Sequence, residues 1–122
     1  MSSDNYVLLV EDDLDISEAI QSILEEEKYK VKSTFNGKEA LDFLATANSN
    51  PSLILLDIMM PYMNGYEFRE AQLLDPKIAN IPTIILSAAG KHEDLDKLNF
   101  KECLKKPLDL DTLLDVVKRN IS

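Results

Sequence analysis

Two kinds of apolar pattern alternate along the chain. Val7-Leu8-Leu9-Val10, Leu53-Ile54-Leu55-Leu56 and Thr83-Ile84-Ile85-Leu86 are short, near-continuous apolar runs. Between them, apolar residues recur at three- and four-residue steps, as in Ile16, Ala19, Ile20, Ile23 and Leu24, and again in Leu110, Leu113, Leu114, Val117 and Ile121. Those two stripes predict a first and a last helix, with Asp15 or Ser17 placed to cap the former and Asp109 or Asp111 the latter. Gly37 to Ala47, with Ala40, Leu41 and Leu44 on one side, reads as a helix after a strand around Val31 to Thr34. Asn64 to Leu74 reads as another, ending before Asp75-Pro76, and Lys91 to Leu98 as a further one before a short strand at Cys103-Leu104. The sum is β-α repeated five times. Continuously apolar strands are buried on both faces, which predicts an α/β fold: a parallel five-stranded sheet, doubly wound, with helices on both sides. Of the doubly wound strand orders, 2-1-3-4-5 suits a chain of this length, with its switch point between the first and third strands.

Every apolar run stops at a polar residue of definite type. The first runs into Glu11-Asp12-Asp13, the third into Asp57, the fourth into Ser87, and the fifth into Lys105-Lys106-Pro107. In a parallel sheet these residues gather at one edge, and open α/β sheets take their ligands beyond the carboxyl ends of the strands.

The 122 residues are expected to form one domain, 1–122, with no attached output module. Hydrophobic residues make up 45% and charged residues 29%, the balance of a soluble protein, and no apolar stretch reaches membrane-spanning length. Met1 to Asn5 is too short and polar for a signal peptide, and the single cysteine, Cys103, fits a reducing compartment, so a cytoplasmic location is expected. A formal net charge of −9 without a dense basic cluster disfavours direct nucleic-acid binding and contact with anionic membranes. The runs Glu25-Glu26-Glu27 and Glu93-Asp94 with Asp96 read as solvated faces.

Three carboxylates brought to neighbouring strand ends repel one another, and something cationic is needed among them. Mg²⁺, a hard ion that takes oxygen ligands, suits the set, and Mn²⁺ can substitute. His92 and Cys103 lie in other segments and make no zinc spacing. Lys106 supplies a second cation. Asp57, Ser87 and Lys106 with a metal amount to a small phosphoryl-transfer site, since that chemistry asks mainly for positioning and for cations against the phosphoryl oxygens. A carboxylate can be the nucleophile and form an acyl phosphate. Met59 would offer a backbone carbonyl to the metal and Ala88 a backbone amide to a phosphoryl oxygen.

Glu11-Asp12, the segment Asp57-Ile58-Met59-Met60-Pro61-Tyr62-Met63-Asn64-Gly65, Ser87-Ala88 and Lys106-Pro107, in this order and at these separations, resemble the receiver domain of two-component response regulators. The resemblance covers essentially the whole chain. It implies a flavodoxin-like receiver fold and phosphorylation of Asp57 by a sensor histidine kinase or a histidine phosphotransfer protein. It also implies Mg²⁺ held by Asp12, Asp57 and the Met59 carbonyl, with Glu11 acting through a water. Ser87 would bond the phosphoryl group, Lys106 would pair with it, and the Lys106-Pro107 peptide would be cis. The resulting switch would act on a downstream protein target or relay the phosphoryl group onward.

The chain departs from that pattern on the fifth strand. Many receivers carry Tyr or Phe three positions before the lysine, and Cys103 stands there instead, reading as a small buried hydrophobe in the switch region formed with Ser87. The connection from Ser87 to Cys103 is a few residues short, so its helix should be truncated, and Phe100 is placed to substitute for the absent aromatic. Met59 and Ala89 would flank the path of a hydrolytic water without a group to orient it, which predicts slow self-dephosphorylation. Two alternatives compete: a phosphatase of the haloacid dehalogenase type, which needs an aspartate where Met59 stands, and a receiver-like docking module independent of phosphorylation.

Overall fold

The computed structural model describes residues 5–87 and 100–121. The helix expected over Lys91 to Leu98, together with Ala88, Ala89 and His92, lies outside them. The described elements are β1 (Tyr6–Val10), α1 (Leu14–Glu26), β2 (Lys30–Thr34), α2 (Gly37–Thr46), β3 (Leu53–Asp57), α3 (Gly65–Leu74), β4 (Thr83–Ser87), β5 (Glu102–Lys105) and α4 (Leu110–Asn120). All strand pairs are parallel and the order is β2-β1-β3-β4-β5, as expected.

The alternation of side chains along a strand divides the apolar runs into two cores. Leu8, Val10, Ile54, Leu56 and Ile85 pack with Ala40 and Leu44 of α2 and Phe68 of α3. Val7, Leu9, Leu53, Leu55, Ile84 and Leu86 pack with Ile20 and Leu24 of α1 and with Leu113 and Val117 of α4. The central strands β1, β3 and β4 are therefore covered on both faces, and each fully buried aliphatic side chain contributes on the order of 1.5–3 kcal/mol. β2 departs from the expected continuous apolar pattern: it lies at the edge, with Lys30 and Lys32 exposed and Val31 and Ser33 half-buried. Lysines on an edge strand discourage pairing with another chain.

Helix starts follow side-chain capping. Asp13, rather than Asp15 or Ser17, caps α1, its carboxylate accepting from the amides of Asp15 and Ile16 at 2.9 and 3.1 Å. Ser17 is already inside the helix, and its amide bonds the Asp13 carbonyl at 2.9 Å. Asp109 caps α4 in preference to Asp111. Asn64 and Glu67 form a reciprocal capping box at α3, so this helix starts one residue later than the apolar pattern suggested.

Gly65 is where α3 meets the end of β3. A Cβ there would lie 2.5 Å from the Asp57 carbonyl oxygen and 2.8 Å from Ile58 Cα, and the Gly65 amide bonds the Ile58 carbonyl at 2.7 Å. Backbone cannot yield as a flexible side chain can. Gly65→Ala is expected to destabilise the fold by about 2–3 kcal/mol in urea denaturation; an unchanged midpoint would show that α3 can withdraw from β3 at no cost.

Candidate functional site

The sheet register places the polar strand ends side by side. Val10 is paired with Leu56, so Glu11 follows β1 beside Asp57, and Asp57 is itself paired with Leu86, one step before Ser87. The main chain stays tied past the strand ends: Glu11 donates its amide to the Thr34 carbonyl at 3.0 Å, and Lys106 donates its amide to the Ser87 carbonyl at 2.7 Å. The Lys106-Pro107 peptide is cis.

Glu11, Asp57 and Ser87 are all buried, at 0%, 3% and 2% exposure, whereas Asp12 faces solvent. Lys106 reaches between the two buried acids. Its Nζ donates a hydrogen bond to Asp57 Oδ1 at 3.1 Å and lies 2.8 Å from Glu11 Oε1. The second contact is a short ion pair, and Oε1, fully buried, has no other polar partner among the described residues. The other Glu11 oxygen, Oε2, accepts from the Asp13 amide at 3.1 Å, so the start of α1 fixes the carboxylate's orientation. The sequence reading missed this role of Asp13; a polar residue two beyond a strand end is as often a simple turn former.

One oxygen from each of Glu11, Asp12 and Asp57 can be chosen so that all three lie within 4.8 Å of one another. Ligands around an octahedral Mg²⁺ at about 2.1 Å are roughly 3–4.2 Å apart, so a small inward movement would suffice. The candidate ligands are all hard carboxylate oxygens, a single ammonium faces three carboxylates, and Asp12 opens the group to solvent. The residues present fit a hard divalent cation.

Burial raises the Asp57 pKa to about 7, with the Glu11 charge pushing it the same way and Lys106 opposing both. For Lys106 burial is the largest single effect and favours the neutral amine, but the combined pull of Glu11 and Asp57 outweighs it and raises the pKa. The two acids thus favour the charged form of the lysine.

Met59 is 62% exposed on the loop after β3. Cys103 is half-buried rather than sealed in the core, because β5 is an edge strand, and its Sγ lies 3.6 Å from Ser87 Oγ. Phe100 and Cys103 both pack against the core beneath α2 and α3. Ala88 lies outside the described residues. A cavity of about 730 Å³ opens beside Leu44, Asn50 and Asp75, in the connections that precede β3 and β4. It is remote from the acidic strand ends, and they, rather than cavity size, mark the chemistry.

A family model described as the response regulator receiver domain matches residues 7–118. The chain belongs to that family. The receiver is 37% identical over 118 residues to the "Transcriptional regulatory protein CpxR homolog" of Haemophilus influenzae, covering 92% of this chain and 48% of that protein. It is 34% identical to the response regulator Rre1 of Synechocystis over 116 residues, covering 92% and 49%. The chain spans about half the length of the curated relatives it matches. Among solved structures, it superposes on the signal receiver domain of a histidine kinase from Syntrophus aciditrophicus with TM-score 0.87 and 31% identity, covering 96% of this chain and 89% of that one. The chemotaxis response regulator CheY4 of Vibrio cholerae gives TM-score 0.84 and 26% identity, covering 96% and 98%. The receiver is thus of the two-component, phosphorylation-dependent signalling class. No helix among the described residues is long and apolar enough to cross a membrane. The expectation of no nucleic-acid contact rests on net charge and the lack of a dense basic cluster and gains no support from the relatives, several of which are named transcriptional regulators.

Asp57 gives a pH-dependent stability with a definite sign. The free carboxyl titrates near 3.8 and the folded one near 7, so the fold holds this proton more tightly than the unfolded chain does. Stability from this group is present at low pH and is lost as pH rises through that interval. In EDTA at pH 8, Asp57→Asn is expected to be more stable than the parent, with the difference shrinking as pH falls from 7 towards 4. Urea denaturation across pH checks this; parallel curves would mean that Asp57 is not strained by its surroundings.

Proposed function

We propose that Asp57 accepts a phosphoryl group from the phosphohistidine of a sensor histidine kinase or a histidine phosphotransfer protein, and that residues 1–122 act as one receiver unit in the cytoplasm. The observation that carries this reading is the buried Asp57 carboxylate with the Lys106 ammonium at 3.1 Å and the Glu11 and Asp12 oxygens within 4.8 Å. Mg²⁺, with Mn²⁺ as a substitute, would be held by Asp12, Asp57 and the Met59 carbonyl, with Glu11 acting through a water. A divalent cation there would favour ionised Asp57 and offset charge on the phosphoryl oxygens.

An Asp57 carboxylate oxygen attacks phosphorus, the phosphorus–nitrogen bond of the donor breaks, and its electron pair stays on the imidazole. Lys106 follows the charge, trading part of its contact with Asp57 for a phosphoryl oxygen. The Ser87 hydroxyl donates to another phosphoryl oxygen, and the Ala88 amide completes the set. The population of a second conformation then rises, and a protein target reads it or the phosphoryl group passes on.

Intact-mass spectrometry after incubation with acetyl phosphate tests the reading. One added phosphoryl group is expected in the presence of Mg²⁺, and none in its absence or in Asp57→Asn. No adduct in any arm, with beryllofluoride also failing to bind, would favour the docking module that does not use phosphate.

Hydrolysis of the acyl phosphate needs a water beside phosphorus, and the exposed thioether of Met59, two residues beyond Asp57, would shield that approach without a hydrogen bond to orient the water. Slow self-dephosphorylation follows. Met59→Asn is expected to shorten the lifetime of the phosphorylated form severalfold, followed by mass spectrometry after the phosphodonor is removed; an unchanged lifetime would discard the shielding role.

A further inference from the structure

Ser87 and Cys103 stand diagonally across β4 and β5. Ile85 is paired with Cys103 and Ser87 with Lys105, so both side chains lie on one face of the sheet. Ser87 Oγ and Cys103 Sγ are 3.6 Å apart, with either atom able to donate, and this is the hydroxyl's one hydrogen-bond contact among the described residues. At 2% exposure Ser87 has little access to water as a substitute. A buried hydroxyl requires a partner, and here that partner is sulfur, a weak donor and a weak acceptor.

We propose that Cys103 is a positioning residue: its thiol holds the Ser87 hydroxyl in the resting protein, and phosphorylation replaces that thiol with a phosphoryl oxygen. The inference rests on the phosphoacceptor reading of Asp57. A charged phosphoryl oxygen is the stronger acceptor, so the exchange runs in its favour. Because the resting hold is weak, little of the binding free energy of the phosphoryl group is spent in breaking it. The switch therefore needs no aromatic side chain to change places. It moves a hydroxyl between two partners, one on each side of β4.

The chain has one cysteine, so its S–H stretching band in the infrared reports on this contact alone. In the resting protein the band is expected to differ between the parent and Ser87→Ala. Beryllofluoride with Mg²⁺ should move the parent band to the Ser87→Ala position and leave the band of Ser87→Ala unmoved. Cys103→Ala and Cys103→Val should each bind beryllofluoride about two- to fivefold more tightly, while Cys103→Ser, whose hydroxyl is a stronger partner for Ser87 than the thiol, should bind it no more tightly than the parent. A merely space-filling cysteine would instead separate Ala from Val and leave the band indifferent to Ser87. Identical bands in the parent and Ser87→Ala overturn the contact. A band that differs there but does not respond to bound beryllofluoride overturns the exchange. Failure of beryllofluoride to bind, seen by fluorine NMR, overturns the phosphoacceptor reading and the exchange with it, while the resting bands still decide the contact.

Discussion

One ammonium group, Lys106 Nζ, lies 2.8 Å from Glu11 and 3.1 Å from Asp57, and the carboxyl edge of the sheet depends on it. Without it, two buried like charges less than 5 Å apart would repel by on the order of 3 kcal/mol at an effective dielectric constant near 20, before any cost of desolvation. The ammonium comes from the far edge of the sheet, spanning β4 to reach the ends of β3 and β1. Its backbone is fixed for that reach by the Lys106 amide, which bonds the Ser87 carbonyl. Glu11 is fixed from the other side through the Asp13 amide, so the cap of α1 and the site share one residue. Helix start, sheet edge and ion pair are parts of one arrangement.

Legibility from sequence followed how much of each feature was local. β1, β3 and β4 were readable because burial on both faces leaves a continuous apolar run, and the polar residue ending each run fixed the site edge within a residue. β2 was less so: an edge strand is half-wet, and its alternating Lys30, Val31, Lys32 looks like any amphipathic segment. The cap of α1 fell on Asp13 rather than on Asp15 or Ser17 because capping is decided by backbone direction, which three nearby acids, Asp12, Asp13 and Asp15, do not reveal. Gly65 stood in the motif, but the reason for it, the 2.5 Å approach of a Cβ to the Asp57 carbonyl, appears only when α3 is laid against β3. The bridging position of Lys106 was likewise legible as a cation at the right edge and illegible as a contact with both acids.

Cys103 shows how far a family pattern carries. The pattern flagged the position as altered, and the general habits of cysteine suggested a buried apolar filler. Its surroundings decide otherwise. β5 is the outermost strand, so its side chains are half-wet, and the diagonal neighbour on that face is the hydroxyl of Ser87. The same thiol on β3 would be inert packing; on β5 it meets the one polar group at the end of β4.

Carboxylates outnumber the lysine at the strand ends three to one, and this excess links the fold to the chemistry. Burial and the neighbouring Glu11 raise the Asp57 pKa to about 7 against the opposing pull of Lys106. A protonated carboxyl is a poor nucleophile, so the crowding that makes the site costly to fold would also hold back the transfer proposed for Asp57. Any cation that enters between Glu11, Asp12 and Asp57 does so with release of that proton, and its binding free energy is spent partly on ionising the nucleophile. On the phosphoacceptor reading proposed for Asp57, competence for phosphoryl transfer would be gained only when the offsetting charge is in place, leaving Lys106 to follow the charge from the carboxylate to the phosphoryl oxygens. On that reading the arrangement would couple three events that separate sites would have to coordinate: cation binding, loss of the Asp57 proton and redirection of the lysine.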